Sequence, residues 1–367
     1  MRLLDHKIPV SVLGATGMVG QHFLRLLENH PWFQVVDVAA SKSSAGKKYK
    51  DSVHGKWVIN SPIPMSVRDR MVRNVHEFDK IPSEVKCVFS AMDLPEKQDT
   101  RDFEFQYASK GYGVISTSSA NRQTKDVPMI IPEINPDHAD IIPIQQKNRS
   151  LPATGFVAVK PNCSIQSYVI VLEALKKAGY PVNRVQVITL QALSGAGTRG
   201  LYSPELKQNV VPFIPGEEEK TENEPLKIFG EIIGNYIEPA DGLEIDAVCT
   251  RVPVIDGHTA VVHLGLKESK PTIEEVKTIL SSFQGAPQKL KLPSAPSSPI
   301  MVNEEETRPQ PRLDKDSENG MAVTVGRISK DRFFDIRLIG LSHNTIRGAA
   351  GGAILTAELL VEKGYIS

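Results

Sequence analysis

The chain has 367 residues, 40% of them hydrophobic, with 43 basic and 43 acidic side chains and a formal net charge of +0. That length accommodates two domains with cores of their own, and the balanced charge gives no electrostatic reason to expect a nucleic-acid or anionic-membrane partner. The apolar runs fall well short of the roughly 20 residues a membrane span needs, and three widely spaced cysteines, Cys87, Cys163 and Cys249, make neither a disulfide framework nor a metal site.

In chain order, residues 1–7 carry an acid and lead towards a strand, unlike a signal or transit peptide, and a reducing, cytoplasmic setting is expected. Residues 8–13 read as an apolar strand, Gly14-Ala15-Thr16-Gly17-Met18-Val19-Gly20 as a turn, 21–30 as an amphipathic helix and 33–40 as a second strand. This is the first βαβ unit of a doubly wound, Rossmann-type sheet. The spacing is G-x-x-G-x-x-G, and such glycines let the backbone approach a pyrophosphate at a helix N-terminus. Asp37 stands at the distance where an acid would bind NAD ribose, but three small or apolar residues follow it, so it is too early in the strand. The strand end is Ser41-Lys42-Ser43-Ser44, with Lys47 and Lys48 beyond. Hydroxyls and lysines there suit a 2′-phosphate, which predicts NADP; a solvated lysine run would look the same. Apolar runs at 86–91, 113–116 and 129–131 extend the parallel sheet.

The segment Pro161-Asn162-Cys163-Ser164 precedes an apolar, helix-like run, which places Cys163 at a helix start. Unpaired N–H groups and the helix dipole favour a thiolate there, and an ordinary thiol pKa of about 8.5 can fall by a unit or more. Cys163 is therefore a candidate nucleophile, although a cysteine packed before a helix reads alike. Cys87 and Cys249 lie in strand-like runs and read as core. Residues 185–191, 244–254 and 259–266 are long and β-branched and predict a large, mostly antiparallel sheet. Ser194-Gly195-Ala196-Gly197 could close over a nicotinamide or be a plain turn. Glu217 and Lys220 share one helical face, either as a substrate clamp or as a solvated helix start; the residues alone do not choose. His258 projects from a glycine turn seven residues after Arg251. A histidine suits acid/base work beside a thiolate, and an arginine fork grips a carboxylate bidentately. Residues 273–283 are helical. Residues 286–316, rich in Pro, Ser and charge, are expected to be a long surface loop rather than a core element. The helix at 347–360 has a small-residue face and is expected to return to the first domain.

The glycine turn, Pro161-Asn162-Cys163-Ser164, Gln191, Ser194-Gly195-Ala196-Gly197, Glu217-x-x-Lys220, Arg251-x-Pro253-Val254-x-x-Gly257-His258 and the terminal His343-Asn344-Thr345 occur in an order and spacing that resemble the aspartate-semialdehyde dehydrogenase family over nearly the whole chain. Residues 116–122 and 127–136 resemble its archaeal and fungal branch in particular. The resemblance implies an NADP-binding domain over 1–160, completed by a C-terminal helix at 344–367, and an α+β catalytic and dimerisation domain over 161–343. It implies reductive dephosphorylation of L-aspartyl 4-phosphate to L-aspartate 4-semialdehyde with NADPH, releasing phosphate on the branch to lysine, threonine, methionine and isoleucine, by a homodimer or homotetramer. By position, Cys163 is implied as the acylated nucleophile, His258 as acid/base and Gln191 as the residue that positions the thioacyl group. Arg251 is implied to hold the substrate α-carboxylate, Glu217 its ammonium, and Lys220 and Arg122 the phosphate, with Asn121 beside them. Gly14, Thr16, Gly17, Met18, Val19, Ser41, Ser44, Ser194, Gly195 and Asn344 are implied to contact NADP, and no metal is implied. Other acyl-phosphate or acyl-thioester reductases share the Cys/His plan, but their substrates lack the free α-ammonium that would explain Glu217.

Overall fold

The computed structural model describes residues 6–206 and 208–367; the reading of residues 1–5 as unlike a targeting segment lies outside them. The first six strands are β1 (Ile8–Leu13), β2 (Phe33–Ala40), β3 (Arg73–Asn74), β4 (Cys87–Ser90), β5 (Gly113–Ser116) and β6 (Phe156–Val159). They form one parallel sheet in the order β3-β2-β1-β4-β5-β6. Because α1 (Met18–Leu27) and α2 (Lys97–Ser109) help cover its faces, β4, β5 and β6 are buried throughout, as crossover-connected parallel strands must be. Phe23 of α1 and Phe33 of β2 both pack on Phe89, with ring centroids 5.0 and 5.7 Å apart, and each such buried ring contributes about 1.5–3 kcal/mol. The helix begins at Met18, not at residue 21, so the last glycine of the turn, Gly20, already belongs to its first turn.

Two expectations about strands are corrected. Residues 129–131 do not form a strand: Met129 makes a single bridge to Val159, because Pro128 and Pro132 have no N–H to extend a ladder. The sixth strand is the four-residue β6, which the sequence reading did not mark. Residues 286–316 are not a plain loop either. They contain a short helix (Ala286–Leu290), a strand β12 (Ile300–Asn303) and a helical turn (Pro311–Asp314), and Leu292 and Ile300 are in the core.

After β6, α3 (Val169–Lys177) leads into β7 (Val182–Gln191). Helix α4 (Glu217–Ile228) precedes a small hairpin, β8 (Glu231–Ile233) and β9 (Tyr236–Glu238), and then β10 (Glu244–Arg251) and β11 (His258–Leu266). Helix α5 (Ile273–Ser282), β12, β13 (Val323–Lys330) and β14 (Ile336–Ser342) complete the unit. The second sheet has the order β10-β7-β11-β14-β13-β12. Its three inner pairings are antiparallel, as expected, and its two outer ones, β10 with β7 and β12 with β13, are parallel. A π-type turn (Ile346–Ala350) then opens α6 (Gly351–Glu362), which is buried on nearly every side. Glu358 of α6 meets His30 after α1 at 2.8 Å, so the chain does return to the first sheet. Among the described residues no helix is long and apolar enough to cross a membrane.

Candidate active site

A cleft of about 300 Å³ lies where the carboxyl ends of β1, β4 and β5 face the second sheet, the place where open parallel sheets bind ligands. Its wall includes Val19, Thr117, Ser118, Arg122, Cys163, Ser194, Glu217, Lys220 and Asn344. A larger cavity, about 450 Å³, opens at the far end of β7 and contains none of the predicted site residues.

The nucleotide side follows from backbone geometry. Gly14 has φ +73°, and a Cβ there would stand 2.7 Å from the Ala91 carbonyl oxygen, so no side chain fits between β1 and β4. Gly17 is the N-cap of α1, whose first turn has neither a side-chain cap nor an acid. Its leading N–H groups, flanked by partly exposed Thr16 and Val19, fit an anionic pyrophosphate; Met18 is buried beneath them. Asp37 is unavailable, because it accepts from Ser11 Oγ at 2.6 Å and pairs with Arg73 at 2.7 Å within the sheet. Ser41 is exposed and Ser44 half-buried just after β2, and neither lines the main cleft.

Cys163 follows β6 and precedes a 3₁₀ turn of only four residues, Ser164–Ser167. Its Sγ lies 3.3 Å from His258 Nε2. The expected depressed thiol is not found: burial, and then the Glu217 carboxylate, push its pKa up, against the opposing pull of Lys160, Arg122 and Arg251. A turn this short has little dipole to offset desolvation. His258 is fully buried, and its Nδ1 accepts the Ala192 N–H at 3.0 Å. The proton of the neutral ring is therefore on Nε2, aimed at the sulfur. Burial, reinforced by Arg251, pulls the His258 pKa down to about 3. Gly195 covers this pair closely: a Cβ there would be 2.5 Å from Arg251 Nη1 and 2.8 Å from His258 Cε1.

The charged residues form one network. Glu217 Oε1 pairs with Lys220 at 2.8 Å, while its Oε2 accepts from Asn162 Nδ2 at 3.0 Å and Gln191 Nε2 at 3.2 Å. Arg251 Nη1 donates to Ala192 O and Gln191 Oε1, both on uncharged groups. Arg122 Nη1 pairs with Glu224 at 2.9 Å and Nη2 donates to Thr117 O, but its Nε is buried without a partner. An unmet donor on the cleft wall suits an anion. Asn344 ties two loops together, donating to Ser194 Oγ and accepting the Gly257 N–H.

Asn121, predicted beside the phosphate residues, does not line the cleft. Asn121 is fully buried, donates to Glu104 Oε2 and accepts from Thr124, so it braces the loop that carries Arg122. Sequence reading also missed Glu224, whose spacing of seven from Glu217 sets both on one helical face.

The comparisons agree along the chain. A family model described as semialdehyde dehydrogenase, NAD binding domain, matches residues 9–142, and one described as semialdehyde dehydrogenase, dimerisation domain, matches residues 172–347. The aspartate-semialdehyde dehydrogenase of Methanothermobacter thermautotrophicus is 44% identical over 97% of this chain and 99% of its own length. That of Schizosaccharomyces pombe is 40% identical over the same shares. The crystal structure of aspartate semialdehyde dehydrogenase with NADP from Candida albicans superposes with a TM-score of 0.86 at 37% identity, covering 98% of this chain and 100% of that one. With identities of this size over its full fold, this chain belongs to the aspartate-semialdehyde dehydrogenase family.

Proposed function

We propose that the protein reduces L-aspartyl 4-phosphate to L-aspartate 4-semialdehyde with NADPH, releasing phosphate, in the supply of lysine, threonine, methionine and isoleucine. The observation that carries this reading is the 3.3 Å contact of Cys163 Sγ with a His258 ring of fixed tautomer, beside a cleft that holds an acid and the unmet Nε of Arg122. The thiolate attacks the acyl carbon, the carbon–oxygen bond to phosphate breaks, and a thioester forms on Cys163. NADPH, held by the residues named below, would supply the hydride to the thioester carbon. The Nε2–H of His258 donates a hydrogen bond to the resulting oxyanion, and as the carbonyl re-forms the carbon–sulfur bond breaks to release the aldehyde and restore the thiolate.

Substrate recognition follows from ion-pair exchange. The Glu217–Lys220 pair opens, Glu217 takes the substrate ammonium, and Lys220 joins Arg122 on the phosphate. Arg251 holds the α-carboxylate, and Gln191 Nε2, beside Glu217, orients the acyl group. Asn121 acts only through its loop. The glycine turn with Thr16, Met18 and Val19, together with Ser41, Ser44, Ser194, Gly195 and Asn344, holds NADP. Residues 1–160 with 344–367 serve nucleotide binding, and 161–343 serve catalysis and self-association as a homodimer, a reading supported by the matched dimerisation domain. Three free cysteines favour a reducing cytoplasm.

The direct test is the reverse reaction. Aspartate semialdehyde, phosphate and NADP should yield NADPH absorbance with the wild type and none with Cys163→Ala. Full activity in Cys163→Ala, or no signal in wild type, overturns the reading.

A further inference from the structure

Helix α4 does more than carry Glu217 and Lys220. Along one face, Thr221 meets Ser164 at 3.2 Å, Glu224 meets two other segments, and Lys227 Nζ donates to the carbonyls of Arg122, Thr124 and Val127 at 2.7, 2.7 and 2.8 Å. Glu224 is 1% exposed. Its Oε1 accepts from Arg122 Nη1 at 2.9 Å, and its Oε2 accepts the Asn162 N–H at 2.5 Å. One carboxylate therefore joins the arginine of the anion side to the backbone N–H of the residue before the nucleophile.

We infer that Glu224 is a positioning residue that locks Arg122 to the Cys163 loop, so that the leaving phosphate and the attacking sulfur keep a fixed separation. The inference rests on the assignment of phosphate to Arg122. Chemistry favours a carboxylate here and nothing else of its size. Both partners are donors, and only a group with two acceptor oxygens meets both. Glutamine has one acceptor and one donor, so one of the two links becomes a donor facing a donor. Arg122 retains Thr117 O on Nη2, so it stays in place loosely but loses the charge-assisted bond that fixes its angle. Misplacement of about 1 Å at a reacting group can cost a hundredfold in rate. Helix α4 is anchored on both sides of Glu224, by Lys227 on the carbonyls of the Arg122 loop and by a bond at Thr221. Pro225 leaves the Thr221 carbonyl without its helical donor, and Tyr168 Oη takes that place at 3.3 Å.

The test measures phosphate KM in the semialdehyde-oxidising direction for wild type, Glu224→Gln, Arg122→Gln and the double variant. Independently of turnover, it measures the phosphate concentration that half-protects Cys163 from iodoacetamide. Glu224→Gln is expected to raise both quantities at least tenfold, with the KM for NADP changed less than twofold. The double variant is expected to match Arg122→Gln within twofold, because Glu224 acts through Arg122; independent effects would multiply instead. Phosphate KM and protection at wild-type values in folded Glu224→Gln, or multiplying effects in the double variant, overturn the inference. If Arg122→Gln itself leaves phosphate KM and protection unchanged, it is the phosphate assignment of Arg122 that fails. Should Glu224→Gln not fold, Glu224→Asp keeps the charge but is one carbon too short to reach both donors. It is expected to show the same tenfold rise, and a wild-type phosphate KM there counts against the proposal.

Discussion

At Cys163, burial and Glu217 raise the thiol pKa while Lys160, Arg122 and Arg251 oppose them, and the upward push prevails. A raised pKa means a smaller thiolate fraction at neutral pH, so iodoacetamide should label Cys163 slowly there. Its rate should climb tenfold per pH unit and keep climbing past the ordinary thiol range of about 8.5. His258 should leave no inflection in that profile near 6.5, since its pKa lies at about 3. The Ala192 N–H on Nδ1 makes His258 a proton donor to the sulfur side, not a base for the thiol. His258→Ala should therefore lower kcat at least a hundredfold while changing the alkylation rate less than tenfold. A parallel collapse of both rates would return the base role to His258. Arg251 is proposed to grip the substrate α-carboxylate bidentately, a contact that does not survive replacement by a point charge. Arg251→Lys should lose at least tenfold in kcat/KM for aspartate semialdehyde, about 1.4 kcal/mol. A near-wild-type value would mean that it does not hold the α-carboxylate.

Strand β2 shows how an element can hide a residue that its spacing advertises. Asp37 stands mid-strand, and its carboxylate is consumed by Ser11 and by the buried guanidinium of Arg73. Asp37→Asn should thus destabilise the fold by about 3–5 kcal/mol, the usual cost of leaving one partner of a buried ion pair alone. The ratio of NADPH to NADH use in the folded fraction should stay as in wild type. A switch in cofactor preference would place Asp37 at the ribose after all. The same contrast explains what was legible in the sequence. The glycine turn, α1 and β2 are written in local periodicity, and the Cys163, Arg251 and His258 segments in contiguous motifs. Strand β12 was hidden because its edge position depends on β13, over twenty residues later, and not on its own composition. Glu224 was hidden because its value lies in Arg122 and Asn162, 102 and 62 positions away. The raised thiol was hidden because burial is a property of the assembled cleft.

At the scale of the whole molecule, the open face of the second sheet has the pattern of a self-association surface. Val248, Ile188, Val261 and Ile339 are in register across β10, β7, β11 and β14 and form an apolar row, with Val248 43% exposed. The adjacent row runs Asp246, Gln186, His263, Arg337, acidic at one end and basic at the other. A two-fold axis through the middle of such a row sets each Asp246 against the other copy's Arg337, which is how an isologous contact becomes self-complementary. Ile188 occupies the middle of the apolar row. In Ile188→Glu, each copy would place a carboxylate in a desolvated apolar contact with no cation to meet it. The wild type is therefore expected to elute as a dimer on size-exclusion chromatography with light scattering. Ile188→Glu should elute at the mass of one 40.3 kDa chain with its secondary structure unchanged by circular dichroism. The second charged row offers a rescue: Asp246→Arg alone should weaken the dimer at low salt, and Arg337→Asp in the same chain should restore it. A dimer that ignores all three substitutions would place its contact elsewhere on the molecule.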